Sequence, residues 1–66
     1  MLVIEAERET DGRWLAEVTT LPGVLTYGTS RADAIAKAEA LALRVMADRV
    51  EHGERVPELD KLFSAA

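Results

Sequence analysis

The sequence of 66 residues contains no cysteine and a single histidine, His52. Disulfide bonds and thiolate zinc sites are therefore excluded, and one imidazole cannot build a histidine-rich metal site. Aromatic residues make up only 5% of the chain, and Trp14 and Tyr27 lie too far apart in the sequence to indicate a base-stacking platform. Because disulfides and metals stabilise many chains of this size, their exclusion leaves association with another chain as the remaining means of stabilisation.

The chain also lacks long apolar runs and a surplus of basic residues. No apolar run approaches the roughly 20 residues of a membrane span, and residues 1–6 lack the basic and apolar segments of a signal peptide. With 48% hydrophobic and 30% charged residues, the composition is typical of a folded globular domain. The net charge of −4 argues against a nucleic-acid footprint and favours a basic partner. We expect one cytoplasmic domain with no membrane contact.

The first half of the sequence has the period-two pattern of β-strands. Residues 2–9 and 13–18 each alternate apolar and polar side chains, and residues 10–12 between them have turn chemistry. A break at residues 19–23 is followed by residues 24–27, which are β-branched or aromatic enough for a third strand. The pattern predicts a three-stranded antiparallel sheet.

Residues 31–52 are predicted to form one long helix. This segment contains no glycine or proline and is rich in alanine, the best helix former. Ser30 and Asp33 have the spacing of a capping box, and Gly53 stands where a helix-terminating glycine is common. The predicted fold class is α+β, with the three-stranded sheet packed on one long helix.

The apolar sector of this helix is too broad for one sheet to cover. A helix on a sheet needs an apolar stripe of only about 100°, whereas Leu41 and Leu43 lie on opposite flanks. Either the C-terminal segment folds over one flank or a second chain buries it; we expect self-association as a dimer or tetramer. An edge strand at residues 24–27 is a further candidate for that interface. The residues expected to contribute are Leu41, Leu43, Val24, Leu25 and Tyr27.

The C-terminal arm, residues 54–66, is ambiguous. Its apolar side chains are Leu59, Leu62 and Phe63. The sequence leaves three alternatives open, namely a final strand, a short helical turn, or an arm that docks on a partner.

Three glutamates are the strongest candidates for chemistry. If the first two strands pair as a hairpin, Glu5, Glu7 and Glu17 share the sheet face away from the helix. Three neighbouring carboxylates could hold magnesium for phosphodiester hydrolysis, which is one alternative. Arg13 is expected on the same face, and alternating acidic and basic residues are the ordinary composition of a solvated sheet surface. We therefore favour the solvated face and expect no metal, no cofactor and no catalytic residue.

Six short motifs then occur in order along the chain. They are Ile4-Glu5, Ala16-Glu17-Val18, Leu21-Pro22-Gly23, Gly28-Thr29-Ser30, Asp33-Ala34 and Gly53-Glu54-Arg55-Val56-Pro57. In this order and spacing the chain resembles the HicB-like antitoxin family of HicA–HicB toxin–antitoxin modules, over about four-fifths of its length. Two positions depart from the family pattern: Val24 replaces the usual cysteine, and the acidic pair that begins the helix is reduced to Asp33.

The resemblance implies binding rather than catalysis. It implies a reduced ribonuclease-H-like β-β-β-α-β fold without that enzyme's catalytic carboxylates, with residues 59–64 as a fourth strand. It also implies that the protein neutralises a small basic, mRNA-cleaving HicA-like toxin, and Glu5, Glu7 and Glu17 are our candidates for the contact. Only nine residues follow Pro57, too few for the DNA-binding segment of longer members, so no direct DNA binding is expected. A second hypothesis is an orphan homo-oligomeric module with no toxin partner.

Overall fold

The computed structural model describes residues 1–65 and has the predicted α+β architecture. The three strands form one antiparallel sheet in the order β1-β2-β3, and a single long helix packs on one face of it. The elements are β1 (Ile4–Arg8), β2 (Trp14–Val18), β3 (Leu25–Gly28), α1 (Arg31–Glu51) and a 3₁₀-helix (Pro57–Lys61). The predicted fold class is thereby confirmed.

A glycine-containing turn joins β1 and β2. The backbone N–H of Gly12 donates to the carbonyl of Glu9 at 3.0 Å, and the N–H of Glu9 donates to the carbonyl of Arg13 at 2.7 Å. Gly12 has φ of 90°, a left-handed conformation that a residue with a Cβ rarely adopts. The Asp11 carboxylate accepts from the backbone N–H of Arg13 at 3.0 Å. These bonds make the three-residue hairpin loop that the turn residues predict.

The N-terminus of α1 has the predicted cap, with one difference. The hydroxyl oxygen of Ser30 accepts from the backbone N–H of Asp33 at 3.0 Å. The Asp33 carboxylate accepts from the backbone N–H of Thr29 at 3.0 Å, one residue before the position that a standard capping box uses. Both bonds satisfy amides at the start of the helix, and the carboxylate complements the helix dipole.

The Asp33 carboxylate makes the stability of this helix end depend on pH. The hydrogen bond from Thr29, followed by the Lys37 ammonium at 3.0 Å, lowers the pKa of Asp33 below its ordinary value of 3.8. A lowered pKa means that the stabilisation is present above 3.8 and is lost as the pH falls through the folded-state pKa. We expect Asp33→Asn to lower the thermal midpoint at about pH 7, and we expect this difference to shrink as the pH falls below 3.8.

Thermal unfolding followed by circular dichroism measures this pH dependence. Glu39→Gln is the matched control, because Glu39 is an exposed carboxylate of the same helix that forms no ion pair within residues 1–65. If the difference in thermal midpoint between wild type and Asp33→Asn stays the same across the acid range, the expectation is contradicted.

The C-terminus of α1 ends in a glycine motif. Gly53 has φ of 78°, and its N–H donates to the carbonyl of Val50 at 3.0 Å. The N–H of Glu54 donates to the carbonyl of Arg49 at 2.9 Å. This pair of bonds is the Schellman pattern, and it confirms the terminating role predicted for Gly53.

Small side chains hold the helix close to the sheet. The buried residues of α1 are Ala34, Ala38, Ala42 and Met46, each one turn after the last. The rest of the core comprises Ala16, Val18, Leu21, Val24 and Val56. Because four of these nine residues are alanines, the core is shallow and buries little apolar area. Trp14 packs against its rim and is half-buried.

The C-terminal segment forms the short helical turn and not the fourth strand. Residues 57–61 are a 3₁₀-helix, so the strand that the resemblance implied at residues 59–64 is wrong. Pro57 at the first helical position favours this turn, since proline fits a helix start and cannot donate to a strand ladder. Val56 is buried and Leu59 packs on the core. The last residue of the predicted arm, Ala66, lies outside the described residues.

Candidate functional site

No layer formed by residues 1–65 covers one face of the sheet. Ala16 and Val18 are buried and point toward α1, so the residues that alternate with them point away from it. The register places Glu5 directly opposite Glu17 on this outer side. We call this surface the open sheet face, and its members are Glu5, Glu7, Leu15, Glu17, Leu25 and Tyr27.

The acidic half of the open sheet face is not neutralised by the chain itself. Glu5, Glu7 and Glu17 are exposed, and none of them is among the ion pairs formed within residues 1–65. Like charges directly opposite each other on a sheet are destabilising, and Glu5 and Glu17 are such a pair. The structure therefore confirms the shared face and adds an unfavourable charge pair to it.

Arg13 lies on the open sheet face, as expected, but it forms no ion pair with the glutamates there. Its guanidinium contacts the Asp11 carboxylate at 2.7 Å and lies over the Tyr27 ring at 4.4 Å from the centroid. Asp11 raises the pKa of Arg13, and Arg13 lowers the pKa of Asp11 chiefly through its backbone N–H. The charge of Arg13 is thus paired with Asp11 at the hairpin turn and with the ring of Tyr27.

The other half of the open sheet face is apolar. Leu25 is 41% exposed and Tyr27 is 42% exposed. In the pairing of β2 with β3, Leu25 lies opposite Glu17 and Tyr27 lies opposite Leu15. Apolar side chains beside unpaired charges are typical of protein-binding surfaces, where the apolar part supplies affinity and the charges supply specificity. The acidic side opens into a groove of about 530 Å³ in which Arg31 is the basic lining residue. This groove is too open to enclose a small ligand.

The predicted interface residues do not lie on one surface. Leu25 and Tyr27 belong to the open sheet face, whereas Leu43 lies on the helix and is 60% exposed. Val24 is 2% exposed and belongs to the core of its own chain, so it is not available to a second chain. Leu41 is half-buried against the same core. The alternation of side chains could not show which of Val24 and Leu25 is buried, because a turn leads directly into this short strand.

The described residues offer no cluster of side chains for binding a metal ion. Within residues 1–65, no group of three or more acidic, histidine or cysteine side chains is placed to hold a metal ion. Ser30 is engaged as a helix cap, and the ring Nδ1 of His52 lies 2.7 Å from the carbonyl oxygen of Asp48. The magnesium-dependent nuclease alternative therefore lacks a site in this part of the chain.

Comparison with protein-family models, with curated proteins and with solved structures found no match to this chain. In the part of the chain that the structure describes, no helix is both long enough and apolar enough to cross a bilayer.

Proposed function

We propose that this protein is a non-enzymatic HicB-like antitoxin that binds a small basic, mRNA-cleaving HicA-like toxin through the open sheet face. The observation that carries the proposal is the set of three exposed, unneutralised glutamates beside Leu25 and Tyr27. In this proposal the protein acts in the cytoplasm, on a protein partner, without binding DNA itself.

The unfavourable Glu5–Glu17 pair supports a cationic partner. The two carboxylates repel each other in the free protein, and this repulsion is relieved when an arginine or lysine binds between them. The net charge of −4 also increases the rate at which a positively charged protein approaches. Leu25 and Tyr27 supply the apolar contact that a salt-bridged surface needs for affinity.

The test begins with the neighbouring genes: the proposal expects one of them to encode a small basic HicA-like protein, and that protein is the ligand for titration. We expect a one-to-one complex by isothermal titration calorimetry and an affinity that falls with added salt. The double variant Glu5→Gln/Glu17→Gln should weaken binding at least about 30-fold, equivalent to about 2 kcal/mol. The same variant should be more stable than wild type by a few tenths of a kcal/mol, because it removes the like-charge pair.

The matched control is Asp48→Asn/Glu54→Gln. It produces the same change in net charge at exposed positions remote from the open sheet face, and we expect less than about a threefold change in affinity. Equal weakening by both double variants would contradict a contact at Glu5 and Glu17. Absence of binding, or absence of growth rescue when both proteins are co-expressed, would contradict the antitoxin function.

The second candidate is an orphan homo-oligomeric protein-binding module with no toxin partner. The exposed apolar side chains Leu43, Leu62 and Phe63 favour some form of association, whether or not a toxin exists. Affinity capture of the tagged protein from its host separates the two candidates. Recovery of a small basic protein in near one-to-one ratio supports the antitoxin, and recovery of the bait alone supports the orphan module.

A further inference from the structure

Four large apolar side chains are exposed on the second half of the helix and the segment after it. Leu43 is 60% exposed, Val50 50%, Leu62 65% and Phe63 74%. Two mostly apolar grooves of about 380 and 390 Å³ lie among these side chains, and the buried Met46 forms part of the wall of both. We call the four exposed residues the C-terminal apolar surface.

This surface is exposed because the helix is longer than the sheet that supports it. The 21 residues of α1 span about 32 Å, whereas a five-residue strand spans about 17 Å. The last buried residue of the helix is Met46, five residues before its end at Glu51. The helix also contacts β2 and β3 more extensively than β1, so its β1-side flank, which carries Leu43 and Val50, stays uncovered. The C-terminal segment contributes Leu62 and Phe63 without covering that flank.

The exposed area exceeds what a monomer of this mass normally has. The chain exposes 4889 Å², compared with about 4,100 Å² expected for a folded monomer of 7.2 kDa. The excess of about 800 Å² equals the area that each partner buries in a standard stable interface. The radius of gyration, 13.4 Å, likewise exceeds the roughly 10.8 Å expected for this length.

We propose that a second copy of this chain covers the C-terminal apolar surface in a two-fold symmetric dimer. A two-fold interface brings the same patch of both copies together, so the patch must be self-complementary. Its neighbouring charges have both signs: Glu58 and Lys61 line one of the two grooves and Glu51 lines the other. Lys61 of one copy can therefore meet an acidic residue of the other, which offsets part of the repulsion between two chains of charge −4.

The free edge of β1 is a poorer site for the second copy. The backbone bonds between Glu9 and Arg13, and between Thr19 and Val3, show that odd-numbered residues of β1 bond to β2. The backbone N–H and C=O groups of the even-numbered residues therefore point away from β2 and are free to pair with another strand. If the β1 edges of two copies paired antiparallel, Glu5 and Glu7 of one copy would lie beside Glu5 and Glu7 of the other. Like charges across an edge are a common device against this pairing.

Light scattering coupled to size exclusion tests the dimer without any toxin. Wild type at about 50 µM should have twice the monomer mass of 7.2 kDa. Leu43→Glu should raise the dissociation constant at least about 100-fold and leave a monomer with an unchanged far-ultraviolet circular dichroism spectrum. Phe63→Glu should do the same, and because Phe63 is 74% exposed, its replacement cannot unfold the core.

Leu25→Glu is the matched control, because it makes the same chemical change on the open sheet face at 41% exposure. It should leave the dimer intact. A monomeric wild type, a dimer that survives both Leu43→Glu and Phe63→Glu, or dissociation by Leu25→Glu alone would each overturn the proposal. Toxin binding is not part of this measurement, so its outcome is independent of the antitoxin function.

Discussion

Gly28→Ala is expected to remove more than half of the protein's folding stability. Gly28 ends β3 beneath the first turn of α1, and an added Cβ would overlap the backbone nitrogen of Ala34. It would also lie 2.7 Å from the Cα of Ala34 and 2.8 Å from the Asp33 carboxylate. Because the helix backbone cannot move aside by changing a rotamer, we expect a loss of about 3 kcal/mol, the upper end for overpacking. Domains of this size rarely have more than about 5 kcal/mol in total.

Urea unfolding followed by circular dichroism measures this loss, with Gly23→Ala as the control. Gly23 has φ of +86° and no atom near the position of a new Cβ, so its replacement costs backbone strain without a clash. We expect about 1 kcal/mol there. If Gly28→Ala proves no more destabilising than Gly23→Ala, the close approach of β3 to α1 is contradicted.

Leu21→Ala is expected to have an effect of similar size for a different reason. Leu21 lies in the loop between β2 and β3, yet it is 2% exposed and is among the largest fully buried side chains. Two backbone bonds hold it inward: its N–H donates to Val18 at 3.0 Å, and its carbonyl accepts from Val24 at 3.2 Å. Truncation leaves a cavity in a core with few large residues, and we expect a loss of about 3 kcal/mol.

Leu25→Ala is the control for the cavity. The chemical change is the same, but Leu25 is 41% exposed on the open sheet face, and we expect a loss below about 1 kcal/mol. Denaturation at several protein concentrations separates the monomer's stability from any contribution of association. Similar losses for the two leucines would mean that Leu21 is not the buried anchor of this loop.

The two proposed surfaces lie on different layers of the molecule. The open sheet face is on the sheet, and the C-terminal apolar surface is on the helix and the segment after it. A dimer would therefore leave both acidic faces free for a partner. Under these proposals Leu43→Glu should dissociate the dimer but retain toxin binding, and Glu5→Gln/Glu17→Gln should weaken toxin binding but retain the dimer.

Local sequence signals determined most of the secondary structure. Alternating side chains predicted the strands, and Ser30 and Gly53 predicted the ends of the helix to within one residue. These predictions succeed because a period of two or a capping side chain acts within a few residues. The shared face of Glu5, Glu7 and Glu17 was predictable for the same reason, since alternation within paired strands decides which side a residue faces.

Only the tertiary structure decided which apolar residues are buried. Val24 and Leu25 are adjacent in sequence, yet one is in the core and the other faces solvent. Likewise, Leu21 is buried although it stands in a turn, and Leu43 is exposed although it stands in an apolar helix. The physical reason is that burial depends on where the sheet ends beneath the helix and where a loop folds back, and both are set by contacts between residues distant in sequence.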